Sequence, residues 1–140
     1  MKFKDFLKIM EKAKKWDHNI NYEESPMLYE FTEDCGGMYT CDPYKTDILR
    51  NWKFMNSNSA KDSSAKILTM FDNYLDKGDF VGADMCRKYL QAGSTRRVIK
   101  KDCQTIFQQS YNVAINNIQY LKLKLDFLNK KDILLKEDKN

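Results

Sequence analysis

Lys77-Gly-Asp-Phe-Val-Gly-Ala-Asp-Met-Cys-Arg-Lys-Tyr-Leu-Gln-Ala-Gly-Ser-Thr-Arg-Arg97 reads as a complete short helix with a stop signal at each end. Gly78 takes positive φ without steric cost and suits the place just past a preceding helix. Asp79 stands where an N-cap should, its carboxylate able to accept a first-turn N–H. Phe80, Val81, Ala83, Cys86, Tyr89 and Leu90 supply an apolar stripe at helical spacing. Gly93 is expected to close this helix, and Ser94 and Thr95 to cap a third one that opens with Arg96 and Arg97.

Working outward, Ser59 with Asp62 forms a capping-box pattern. It opens a helix that runs to about Lys77 and buries Ala65, Ile67, Leu68, Phe71, Tyr74 and Leu75. The short link at Gly78 makes the two helices an antiparallel hairpin. Downstream, Thr95 to Asn140 contains neither Gly nor Pro, so nothing in it must break a helix. Apolar residues from Val98 to Leu128 follow at steps of three and four, which predicts one long helix from Thr95 to about Asn129 and a short helical or frayed tail over 130–140. Cys103 to Leu121 carries no formal charge, which predicts burial on more than one side, inside the domain or against a second copy in a homodimer.

Upstream, Lys2 to Lys15 places Phe3, Phe6, Leu7, Met10 and Ala13 on one face, an amphipathic N-terminal helix. Trp16 to Pro26 reads as an irregular link, with His18 in a solvated turn. Leu28 to Glu33 and Met38 to Asp42 flank Asp34-Cys35-Gly36-Gly37 and predict a small β-hairpin that pairs Phe31 with Cys41 and Glu33 with Tyr39. Pro43 ends the second strand, and Lys45 to Arg50 suits a short helical turn. The expected fold is therefore mainly α, formally α+β: N-terminal helix, small β-hairpin, antiparallel helical hairpin, long C-terminal helix. At 140 residues one domain over 1–140 is expected.

Pro26, Leu28 and Tyr29, Pro43-Tyr44-Lys45 with Ile48, Leu49, Trp52 and Phe54, then Ser64 and Ala65, and above all Gly78 to Met85 with Arg87-Lys88, Leu90-Gln91, Gly93 and Thr95-Arg96-Arg97 carry a family resemblance. On these residues the chain resembles DUF4385, an uncharacterised family of small proteins from bacteria, phages and eukaryotic viruses. The resemblance covers roughly the middle half of the chain and fails beyond Arg97. It implies no activity, cofactor or catalytic residue; a viral, phage or virion role stays open.

Composition narrows the classes further. The hydrophobic fraction of 42% and charged fraction of 31% are ordinary for a soluble domain. Four cysteines without a Cys-x-x-Cys spacing, and an N-terminus without a leader, point to reduced thiols and an intracellular location, cytoplasmic or nuclear. No stretch is long and apolar enough for a membrane span. No Ser/His/Asp pattern, P-loop, dinucleotide fingerprint or metal-ligand spacing occurs, so no catalytic residue, metal or cofactor is expected and the chain leans away from enzymes.

Asp84 with Arg87 and Lys88 has the spacing of a surface ion pair. The constellation that stands out is basic: Arg87, Lys88, Arg96, Arg97, Lys100 and Lys101, with no acid between Lys88 and Lys101. A turn at Gly93 would bring both groups together beside a helix N-terminus, where an anion finds free N–H groups. Tyr44, Lys45, Arg50 and Trp52 form a secondary candidate, aromatics interleaved with cations as in a base-stacking platform. The leading expectation is an accessory protein that binds nucleic acid or another polyanion. Self-association through Cys103 to Leu121 is the alternative, and an enzyme with an unrecognised site comes last.

Overall fold

Gly78 has φ +70°, and the Asp79 carboxylate accepts the Gly82 N–H at 3.0 Å. The central turn is thus built as its residues dictate. In the computed structural model, which describes residue 2, residues 4–5 and residues 16–137, this turn joins the second and third of five α-helices. They are α1 (Tyr44–Leu49), α2 (Ser57–Asp76), α3 (Phe80–Thr95), α4 (Lys101–Ile115) and α5 (Ile118–Glu137), preceded by a 3-10 turn at Pro26–Leu28. The N-terminal helix expected over Lys2 to Lys15 lies, but for residues 2, 4 and 5, outside the described residues.

Helix α3 is the axis of the fold: thirteen of its sixteen residues are buried. Two glycines let its neighbours approach. A Cβ on Gly82 would lie 2.5 Å from the Tyr74 ring of α2, and one on Gly93 would lie 2.3 Å from the Phe107 ring of α4. Gly93 therefore does not end the helix, as its residue type suggests. The helix runs on to Thr95, and the Ser94 and Thr95 hydroxyls donate back to the Gln91 carbonyl at 2.7 and 3.1 Å instead of capping α4. Helix α2 also starts earlier than expected. Its capping box is Asn56 with Ser59, closed by Ser59 N to Asn56 Oδ1 at 2.8 Å and Asn56 N to Ser59 Oγ at 3.0 Å.

The β-hairpin expected over 28–42 does not form, and no strand occurs among the described residues, so the fold is all-helical and not α+β. The reason lies in where the segment's carbonyls go. Arg87 donates to Thr32 O at 2.7 Å and Asp34 O at 2.8 Å, Gln91 to Glu33 O at 3.0 Å, Lys88 to Gly36 O, and Tyr89 to Met38 O. Side chains of α3 satisfy groups that a partner strand would otherwise take. Thr40 N and Cys41 N both bond Gly37 O at 3.0 Å, so the chain coils here where strand pairing would need it extended.

The long C-terminal helix is likewise two helices. The break falls at Asn116 and Asn117, where Asn117 Oδ1 accepts the Tyr120 N–H at 2.9 Å as an N-cap. Helix α5 then folds back over the domain and continues through 130–137, so the tail is helical that far. It covers Phe80, whose ring lies 5.7 Å from Tyr120 and 5.0 Å from Phe127. Among the described residues no helix is long and apolar enough to cross a membrane.

Candidate anion-binding surface

The six cations of the basic run separate into two groups. Arg87 is 2% exposed and Lys88 0%. Helix α3 points both inward, because in Phe80 to Leu90 every other residue is apolar or glycine save Asp84, and the helix is surrounded on all sides. Asp84 is the counter-group. Its Oδ1 accepts from Arg87 Nε at 3.0 Å, Arg87 Nη2 at 2.8 Å and the Tyr120 hydroxyl at 2.7 Å. Its Oδ2 accepts from the Tyr29 hydroxyl and from Arg87 Nη2 at 3.0 Å. Arg87 spends its remaining N–H groups on Thr32 O, Asp34 O and Gln91 Oε1. All five of its donors are engaged, so the guanidinium has none to offer a ligand.

The electrostatics follow from this burial. Desolvation alone would make Arg87 easier to deprotonate, but Asp84, Tyr120 and Tyr29 outweigh it and hold the group charged more firmly than usual. Burial, reinforced by the Asp84 charge, pushes the Tyr29 hydroxyl well above its ordinary range. Lys88 has no carboxylate in contact. It donates to the Gly36 carbonyl and lies 4.5 Å from the Trp16 ring and 4.7 Å from the Tyr29 ring. Burial lowers its pKa to about 8, against the pull of Asp84.

Arg96, Arg97, Lys100 and Lys101 are exposed. They lie on the connection between α3 and α4, which is ordered from beneath. Ile99 is buried, its N–H bonds Arg96 O at 3.1 Å, and Gln104 Nε2 donates to the same carbonyl at 2.9 Å. Val98, between the two pairs, is 82% exposed. Lys100 is the N-cap of α4 and makes no side-chain cap bond. The nearest carboxylate in sequence, Asp102, accepts from the Ser57 hydroxyl, which holds it below the usual carboxylate range.

The secondary candidates do not converge. Tyr44 is buried and donates to Asp79 Oδ2 at 2.5 Å. Lys45 pairs with Asp42 at 3.4 Å, and Arg50 pairs with Asp47. Trp52 packs edge-on against Phe54 at 5.0 Å and Tyr89 at 5.4 Å, so its ring is committed to the core. Arg50 instead lines a shallow basin of about 260 Å³ with Lys53, Lys66 and Asp62. His18 is an exposed turn residue.

The sequence reading missed the polar cluster of Asp84, Tyr29 and Tyr120. One local signal pointed to it: an Asp-x-x-Arg-Lys set inside an eleven-residue run with no other charge. Such a run has no polar face to turn to water, so its charges must be paired inside.

No curated protein and no solved structure matches this chain. The model of the family described as "Domain of unknown function (DUF4385)" matches residues 12–99. That span contains Tyr29, Asp84, Arg87, Lys88 and the carbonyls that receive them, and ends at the buried Ile99. With well over half of its length matched, the chain belongs to the DUF4385 family.

Proposed function

We propose that this protein is a non-enzymatic accessory protein that binds a polyanion, with nucleic acid the expected class, through Arg96, Arg97, Lys100 and Lys101. One observation carries the reading: four exposed cations lie within six residues on a connection pinned by buried Ile99, with no acid between Asp84 and Asp102. Fixed cations without an interposed carboxylate attract a phosphate backbone and release its counterions. Arg87 and Lys88 leave the binding set, because both are buried. All four cysteines are free thiols, which supports a reducing, intracellular setting.

The test is fluorescence anisotropy with labelled single-stranded and duplex oligonucleotides at several salt concentrations. Affinity should fall with salt at a log–log slope of roughly −0.9 per phosphate neutralised on duplex DNA, or about −0.7 on single strands. Arg96→Ala/Arg97→Ala should weaken binding and lower that slope by about one per lost contact. No binding at low salt, or a double mutant that keeps both affinity and slope, overturns the reading.

Self-association through Cys103 to Leu121 ranks second. Cys103, Phe107, Ala114 and Tyr120 are already buried within one chain, and that accounts for much of the missing charge. The exposed positions Gln108, Gln109 and Asn112 are polar. Light scattering at micromolar concentration tests this reading, and a monomer mass removes it.

A further inference from the structure

The outer face of α5 is apolar where an outer face is ordinarily polar. Ile118, Leu121, Leu125 and Leu128 are all exposed, Ile118 by 84% and Leu125 by 62%. Their spacing is three, four and three residues, which is the alternation of a coiled-coil seam. Asp132 takes the next seam position and pairs with Lys136 at 2.9 Å, so the continuous apolar stretch ends at Leu128. It spans about 15 Å of helix. The other face of α5 is already docked, with Tyr120 and Phe127 in the core.

The residues beside the stripe decide what can cover it. With Ile118 and Leu125 in the first heptad position, the flanks are Lys122, Asn129 and Lys136 on one side and Lys124 and Lys131 on the other. No acid stands at any of them. In a parallel pair of copies Lys131 would meet the second copy's lysine at 136. In an antiparallel pair, lysine would face lysine on both flanks. Like charges at these positions disfavour a second copy in either orientation. A stripe only two residues wide per heptad also suits a helix better than a membrane surface, which takes a broad apolar face.

We propose that the Ile118–Leu128 stripe is a docking surface for an amphipathic helix of another protein, one whose apolar seam is flanked by Glu or Asp. Acidic flanks would meet lysines on both sides, and apolar seam residues would cover side chains that are now bare.

The probe is a synthetic, labelled peptide of roughly three heptads with Leu in the seam and Glu on both flanks. It is titrated with the full chain and followed by anisotropy. Two control peptides carry Lys flanks, or Glu flanks with Ser in the seam. The Glu/Leu peptide should bind, both controls at least about tenfold more weakly, and Leu125→Glu should abolish binding at an unchanged melting temperature. Arg96→Ala/Arg97→Ala should leave the peptide's affinity unchanged, which separates this surface from the one proposed above. Equal binding of any control, or unaltered binding to Leu125→Glu, overturns the proposal. A wild-type dimer that Leu125→Glu dissociates overturns it in favour of a second copy. Leucine-dependent capture on phosphatidylserine-containing vesicles, without peptide binding, overturns it in favour of a membrane.

Discussion

Arg87-Lys88 and Arg96-Arg97 are two pairs of cations nine residues apart on either end of one run without acids. By charge pattern they are alike. In the fold the first pair is inside α3, and the second stands in water. The difference is the supply of counter-groups. Arg87 reaches a carboxylate on its own helix and three carbonyls of the 32–34 segment. Arg96 offers its own carbonyl to the loop and carries its charge outside, near the Met38 thioether at 3.5 Å. A run of cations is therefore not a surface until the surrounding backbone is known to leave it one.

Removing the counter-charge should break the inner pair most severely. Asp84→Ala leaves a buried guanidinium without its carboxylate and should cost about 3–5 kcal/mol, measured by urea unfolding. The Tyr29 and Tyr120 hydroxyls lose their acceptor as well. If the variant does not fold, Tyr120→Phe is the gentler probe and should cost about 1 kcal/mol. An Asp84→Ala melt equal to wild type would show that the cluster contributes nothing.

Lys88 sharpens the comparison through pH. Its folded pKa of about 8 lies below the ordinary 10.5, so the folded state releases this proton first. Below about 8 both states hold the proton and the cost is fully present. Between about 8 and 10.5 the unfolded chain binds more protons, and stability rises with pH. Relative to Lys88→Met, in which the cysteine and tyrosine titrations largely cancel, the wild type should gain roughly 3 kcal/mol across that window. A difference that does not change with pH means that Lys88 is not desolvated as the structure has it.

The next effect is steric. Gly93→Ala puts a methyl group into the Phe107 ring and should cost about 1–3 kcal/mol. Pairing it with Phe107→Leu should recover part of the loss, and a fully additive pair would argue against the contact. The smallest effect belongs to the outer pair. Arg96→Ala/Arg97→Ala should change stability by no more than about 0.5 kcal/mol while it weakens polyanion binding.

What could be read from sequence was local. Gly78 and Asp79 announce a turn through their own conformational and hydrogen-bonding chemistry, and the antiparallel α2–α3 pair follows from the shortness of that turn. The α4–α5 break was equally local, since Asn116-Asn117 is a turn signal within a helical pattern. The absent hairpin was not local. Leu28–Asp42 has the alternation and glycines of two strands, and only side chains more than fifty positions away remove its carbonyls from a ladder. Gly93 was misread for the same reason: a glycine that ends a helix and one that admits an aromatic ring look identical until Phe107 is placed. Half of the candidate site was legible by the same measure. The exposed cations were named correctly as residues, but their separation from Arg87 and Lys88 depends on Thr32, Asp34, Gly36 and Tyr120.

Tyr120 and Phe127 lie outside the stretch that defines the family, yet they roof it. Phe71 and Phe80 rest on the Tyr120 ring at 5.5 and 5.7 Å, and Asp84 takes one of its hydroxyl donors from there. The unit of inheritance and the unit of folding are thus not the same length in this protein. Residues 12–99 are a heritable module that needs a lid of some kind over Phe80 and Asp84, and here α5 supplies it. Other members are free to roof the same module with different helices, and whatever each roof displays outward can diverge without disturbing the shared interior.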